Sequence, residues 1–152
     1  MITDAPVTLS DHTVTIEQEI RVKASLETTF AALLEQLGPG FATPSGESLR
    51  LKIEPWPGGR WFRDFGNNQG HFWATVQAIK RPTLLELTGP LMMSCAVTNN
   101  IQYRLSEENG VTLIKFHHYG FGIVPASRQA DMSQGWSFLH DAIQRRAEAG
   151  IQ

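Results

Sequence analysis

Apolar and polar side chains alternate almost without interruption over about seventy residues, from position 49 to position 119. A period of two residues places one set of side chains on each face of a strand, and predicts strands with one buried face. Short turn signals, among them Pro57-Gly58-Gly59 and Asn109-Gly110, divide the stretch. The predicted strands are 49–54, 60–65, 72–79, 84–88, 97–105 and 111–119, with a loop at 66–70. Consecutive strands joined by tight turns indicate an antiparallel meander.

Two helices and one further strand complete the pattern. Residues 14–23 alternate as a strand, in which only Gln18 interrupts the apolar face. Ser25 is a suitable N-cap for a helix that continues to Leu37. Near the end of the chain, apolar residues spaced by four, three and four positions predict a long helix: Met132, Trp136, Leu139 and Ile143. We therefore predict an α+β fold in which a curved seven-stranded antiparallel sheet wraps around a long C-terminal helix, with a short helix after the first strand.

Composition limits the classes of function. The 152 residues carry 13 basic and 15 acidic side chains, which is too little positive charge for nucleic-acid binding. We expect a single domain over residues 1–152, with residues 1–12 loosely ordered. Asp4, Pro6 and Asp11 interrupt any secretory signal, and no apolar run could span a bilayer. These features predict a cytoplasmic protein. The single cysteine, Cys95, lies in an apolar run and is expected to be buried.

The order of these elements is similar to that of the START-like, helix-grip (SRPBCC) superfamily, which includes the birch-pollen-allergen proteins. The segment from Lys52 to Trp61, with Glu54-Pro55 and Gly58-Gly59-Arg60, resembles the heat-shock ATPase activator-like branch. Further matches to that branch are Gly70-His71-Phe72-Trp73, Arg81-Pro82 and Gly135-Trp136, so that the resemblance extends from about Thr13 to Ala147.

The resemblance implies a cavity between the sheet and the last helix that takes apolar small molecules. It also implies two other activities, because some members are polyketide cyclases or aromatases and the eukaryotic branch stimulates a chaperone ATPase. The eukaryotic activator carries a further domain ahead of this one, for which we expect no room in 152 residues.

Motifs for other chemistry are weak. The glycines at 66–70 and 120–122 fit turns better than phosphate loops. His117 and His118 are adjacent on a strand and point to opposite faces, so they cannot share one metal ion. We expect one inward-facing histidine and otherwise surface histidines, and we predict no metal, no cofactor and no catalytic residues.

The alternation of side chains along each strand indicates which polar groups face the helix. Asn99, Tyr103 and His118 share a face with apolar neighbours, and Gln18 has the same parity on the first strand. These groups could satisfy one another in a buried network, or they could orient a ligand in an apolar pocket. The predicted ligand-binding residues are Trp73, Asn99, Tyr103, Phe116, His118, Met132 and Trp136.

The function predicted from the sequence is the binding of an apolar or aromatic small molecule. One alternative is a cyclase or aromatase with His118 as base and with Tyr103 or Asn99 polarising a carbonyl. Another is a chaperone-interaction module that uses the outer face of the sheet. In each aromatic pair, Trp61-Phe62 and Phe72-Trp73, one member must face outward or meet the terminal helix. An exposed tryptophan there would indicate a partner surface or a dimer interface, so a homodimer is a further hypothesis.

Overall fold

One antiparallel sheet of seven strands forms the framework, in the order β1-β7-β6-β5-β4-β3-β2. The computed structural model describes residues 12–150, apart from the side chain of residue 126. The strands are β1 (Thr13–Val22), β2 (Leu51–Ile53), β3 (Arg60–Gly66), β4 (Gln69–Lys80), β5 (Leu84–Gly89), β6 (Val97–Glu108) and β7 (Val111–Gly122). The helices are α1 (Leu26–Leu37) and α2 (Ala126–Glu148). The segment predicted to be loosely ordered lies, except for His12, outside the described residues.

The predicted α+β fold is confirmed. Strands β2 to β7 form a meander, and β1 joins it by pairing with β7, with Ile16 opposite His118. Helix α2 packs against β1 and α1, and it covers the inner face of the sheet. None of the helices in the described part of the chain is long and apolar enough to cross a membrane.

Helix α1 follows the sequence pattern closely. The Ser25 side chain accepts a hydrogen bond from the Thr28 backbone N–H at 3.1 Å, as an N-cap does. Phe30, Leu33 and Leu37 are buried on one side of the helix. The helix ends where Gly38 and Pro39 follow, as the sequence predicts.

The predicted loop at residues 66–70 is a tight hairpin instead. Asn67 and Asn68 both have positive φ, 53° and 58°, which is the conformation of a two-residue type I′ turn. Because asparagine tolerates this conformation better than most residues, β3 runs to Gly66 and β4 begins at Gln69 without an intervening loop.

In both aromatic pairs, Trp61-Phe62 and Phe72-Trp73, the tryptophan lies on the inner face of the sheet and the phenylalanine on the outer face. Trp61 and Trp73 are buried and pack edge to face, with ring centroids 5.0 Å apart. Phe62 and Phe72 lie on the other face, where Phe72 is 44% exposed and the Arg60 guanidinium lies 4.5 Å from the centre of the Phe62 ring. The inner face therefore takes both tryptophans.

The prediction that Cys95 is buried is wrong. Its apolar run forms the connection between β5 and β6, where Leu91 and Met93 are buried and Cys95 is exposed. The apolar composition of the run reflects these two anchoring side chains, and the thiol lies on the solvent side of the connection.

The Glu54–Arg60 segment is a structural motif that turns the chain from β2 into β3. The Glu54 carboxylate accepts from the Arg60 backbone N–H at 2.9 Å and from the Arg60 guanidinium at 2.8 and 3.0 Å. The Arg60 hydrogen bonds lower the pKa of Glu54 to about 2. Gly58 has φ of 85°, whereas Gly59 passes so close to Glu54 that a Cβ would lie 1.9 Å from the Glu54 carbonyl oxygen. The two glycines are therefore required for different reasons.

We expect Gly59→Ala to lower the free energy of unfolding by about 2 kcal/mol or more, because the methyl group would displace the backbone. Gly58→Asn should cost less than about 1 kcal/mol, since asparagine tolerates positive φ. Urea denaturation of both variants measures the difference. Equal costs at the two positions would contradict the close approach at Gly59.

Candidate functional site

An apolar pocket lies between the N-terminal half of α2 and the end of the sheet formed by β2, β3 and β4. Its volume is about 390 Å³, which falls within the usual size of small-molecule sites. Trp61 and Trp73 form its sheet side, and Met132 and Trp136 form its helix side. Further apolar walls come from Phe41, Leu49, Leu51, Met92 and Leu139. The enclosure is aromatic and thioether-rich, as suits an apolar ligand.

Charged groups line this pocket only where the side chains reach solvent. Arg128 and Asp131 are exposed on the first turns of α2, and Arg63 is half-buried on β3. The Arg63 Nε donates to the Leu49 carbonyl at 2.9 Å, and its guanidinium lies 4.9 Å from the centre of the Phe65 ring. The mouth is therefore polar and the interior is apolar.

The three indole N–H groups around the pocket are already bonded within the protein. Trp61 donates to the Leu37 carbonyl at 2.6 Å, and Trp73 donates to His71 Nδ1 at 3.1 Å. Trp136 donates to His118 Nδ1 at 3.0 Å. The three tryptophans line the pocket, are each 5% exposed or less, and leave no indole donor for a ligand.

A larger depression, of about 660 Å³, lies on the outer face of β2, β3 and β4. Its walls include two ion pairs, Lys52 with Asp64 at 2.7 Å and Arg60 with Glu54 at 2.8 Å. This surface is charged, so it lacks the predominantly apolar walls of a small-molecule site.

The structure separates the predicted site residues into two groups. Trp73, Met132 and Trp136 line the pocket. Asn99, Tyr103, Phe116 and His118 are all buried, but they lie deeper between the sheet and α2 and do not line it. Phe116 packs there against the rings of Tyr103 and Trp136, with centroids 5.0 and 4.9 Å away.

One deep network joins Asn99, His118 and Trp136. Because the Trp136 indole donates to His118 Nδ1, the proton of this imidazole is assigned to Nε2, which donates to Asn99 Oδ1 at 2.7 Å. The Asn99 amide in turn donates to the Gly89 carbonyl at 3.0 Å. Burial lowers the pKa of His118 to about 4, with a smaller contribution from His117. The imidazole is therefore neutral, and both of its nitrogens are occupied.

A second network joins Tyr103, His140 and Gln18. The Gln18 amide donates to the Ser133 carbonyl at 3.3 Å and to Ser137 Oγ at 3.2 Å, so its Oε1 accepts from His140 Nδ1 at 2.7 Å. The Tyr103 hydroxyl then donates to His140 Nε2 at 3.0 Å. Burial lowers the pKa of His140 to about 3 and raises that of Tyr103 well above its ordinary value. This imidazole is also neutral and fully bonded.

His140 is the residue that the sequence analysis missed, and the expectation of one inward-facing histidine is wrong. His140 follows Trp136 by one helical turn, and its side chain is 2% exposed. The sequence feature that could have identified His140 as buried is its position at the edge of the apolar stripe of α2, next to Leu139. Within residues 12–150, no group of three or more histidine, cysteine or acidic side chains is placed to hold a metal ion.

Comparisons with known proteins support the fold. Ara h 8.0201 has a TM-score of 0.65 and 16% identity over 91% of this chain and 99% of that one. A protein from Rhizobium leguminosarum has a TM-score of 0.68 and 17% identity over 91% and 96% of the two chains. CalU16 from Micromonospora echinospora has a TM-score of 0.60 and 18% identity over 89% and 84%. No family model and no curated protein matches the sequence. The chain thus has the helix-grip fold.

We expect the stability of the protein to fall as the pH is lowered from 7.5 to 5. Both buried histidines have folded pKa values below the ordinary value of about 6.5, so below that pH protons bind the unfolded chain preferentially. The loss should be roughly 2 kcal/mol per histidine by pH 5. Urea denaturation at the two pH values measures it, and most paired carboxylates stay ionised over this range.

Two variants test the assignment to His140. His140→Gln removes the titrating group, so it should shrink the difference between pH 7.5 and pH 5 by roughly 2 kcal/mol. Tyr103→Phe breaks the same network but keeps the histidine, so it should lower stability at both pH values and keep the difference. An unchanged pH dependence in His140→Gln would contradict a neutral buried His140.

Proposed function

We propose that this protein binds an apolar or aromatic small molecule in the pocket between α2 and strands β2 to β4. The observation that carries the proposal is a pocket of about 390 Å³ whose walls are mainly apolar and whose three tryptophan N–H groups are all bonded elsewhere. A ligand buried there meets ring faces, methionines and aliphatic side chains.

The apolar walls of the pocket limit the polar groups that a bound ligand can carry. Burying apolar surface stabilises a complex by roughly 25 cal/mol per Å². An amide or hydroxyl buried without a partner costs roughly 1–3 kcal/mol in proteins, which cancels the gain from about 40–120 Å² of apolar contact. The buried part of the ligand is therefore free of polar groups, and any polar group it carries lies at the mouth near Arg63, Arg128 and Asp131.

The alternatives from the sequence have less support. A cyclase or aromatase that uses His118 as base needs a free imidazole lone pair, but the Trp136 indole occupies Nδ1 and Nε2 carries the proton bonded to Asn99. Contact with a chaperone through the outer face remains a prediction from the sequence resemblance, as do the heat-shock ATPase activator branch, a homodimer and the cytoplasmic location.

A pair of matched fluorescent probes tests the proposal. N-phenyl-1-naphthylamine is neutral, and 8-anilinonaphthalene-1-sulfonate has the same aromatic body with one sulfonate. We expect saturable binding of the neutral probe at one site per chain, quenching of tryptophan fluorescence, and a higher melting temperature in its presence.

The chain offers a control for the tryptophan signal. Trp56 is 55% exposed and does not line the pocket, so Trp56→Phe should preserve both the binding and the quenching. Near-UV circular dichroism confirms that the folded protein is present. If neither probe binds saturably to folded protein, the proposed function is wrong.

A further inference from the structure

Gly135 stands in the middle of α2, where neither its own conformation nor the packing of the protein requires glycine. Among the non-proline residues, glycine is the least favourable in a helix interior. Gly58 is needed for a positive φ, and Gly59 for a close backbone approach. Gly135 has no positive φ, and a Cβ built on it would have no atom within 4 Å beyond its two chain neighbours and the adjacent helix backbone.

Gly135 lines the pocket and is also exposed, so the open space beside it lies where the pocket meets solvent. Helical side chains point back toward the preceding turn, and the residues on that turn, Asp131 and Met132, also line the pocket. Trp136 and Leu139 continue the same wall. A side chain at position 135 would therefore extend over the pocket and take up volume that is now free.

We propose that Gly135 determines which ligands the pocket admits, by leaving the backbone of α2 open to contact with a flat aromatic ring. The inference rests on the proposed function and specifies it further. Trp61 and Trp73 lie on the sheet side of the pocket and are nearly fully buried, so a planar ligand would use the backbone of α2 around Gly135 as its more accessible wall. Glycine is the residue that permits such a close approach of a ligand to the main chain.

The proposal explains why an unfavourable residue occupies this position. An alanine would strengthen the helix, and its methyl group would contact nothing beyond its chain neighbours and the adjacent helix backbone. Its methyl group would nevertheless stand between the ligand and the backbone. Alanine at this position would favour the stability of the helix, whereas glycine leaves more volume for a ligand.

The experiment compares three variants with the wild-type protein: Gly135→Ala, Gly135→Leu and the control Gln134→Leu. Gln134 is exposed, adjacent in the same helix and outside the pocket lining, so the control adds the same side chain on the solvent side. The dissociation constants of N-phenyl-1-naphthylamine and of the smaller probe naphthalene are measured, together with the melting temperature.

We expect Gly135→Leu to weaken the binding of N-phenyl-1-naphthylamine by about tenfold or more, and to weaken naphthalene binding less, because the smaller probe needs less of the pocket. Gly135→Ala should raise the melting temperature by about 2–4 °C and weaken the larger probe by a smaller factor. Gln134→Leu should leave both dissociation constants unchanged.

The outcomes separate this inference from the proposed function. Wild-type binding that Gly135→Leu leaves unchanged would overturn the role of Gly135 and leave the pocket function standing. Equal weakening of both probes would indicate general damage to the helix and would also overturn it. If the leucine variant does not fold, Gly135→Ala decides through the ratio of the two dissociation constants. An absence of probe binding by the wild-type protein would overturn both proposals.

Discussion

The attachment of α2 to the sheet through two neutral imidazoles is the constraint on which the inner half of the molecule depends. His118 on β7 and His140 on α2 each use both ring nitrogens, and their partners come from β1, β6 and α2. A polar group buried without hydrogen-bond partners would destabilise the fold by more than its packing contacts stabilise it. Here each hydrogen bond has a defined direction, which fixes both the position and the rotation of the helix over the sheet.

This attachment divides the space under α2 into a filled part and an open part. Around His118 and His140, the rings of Tyr103, Phe116 and Trp136 pack with centroids 4.5 to 5.9 Å apart. The open part lies toward β2, β3 and β4, where Trp61 and Trp73 line the pocket and donate their indole N–H groups to Leu37 and His71. Trp136 belongs to both parts, since its N–H completes the deep network and its ring faces the pocket. The polar network therefore positions one wall of the pocket without offering it a polar group.

The segment from Glu54 to Arg60 shows why a motif can identify a fold without identifying an activity. Its carboxylate–guanidinium pair and its two glycines close the connection between β2 and β3. This connection holds β3 in the sheet, where Trp61 follows Arg60 directly and reaches the inner face. The motif thus contributes to the pocket by placing a wall residue, and its own charged groups remain on the outer surface.

Periodicity in the sequence determined the element order, the antiparallel pairing and the face on which most residues lie, because a strand offers only two faces and an amphipathic helix buries one side. It correctly placed Asn99, Tyr103 and His118 on the inner side. Only the tertiary structure decided that these residues lie in the filled part while Trp73 and Met132 line the pocket. The alternation along a strand specifies which face a side chain lies on. It does not specify the space between that face and a helix distant in sequence, because that space depends on the side-chain volumes of both elements. For the same reason His140, at the edge of the helical stripe, became a buried partner that no pattern in the sequence assigned.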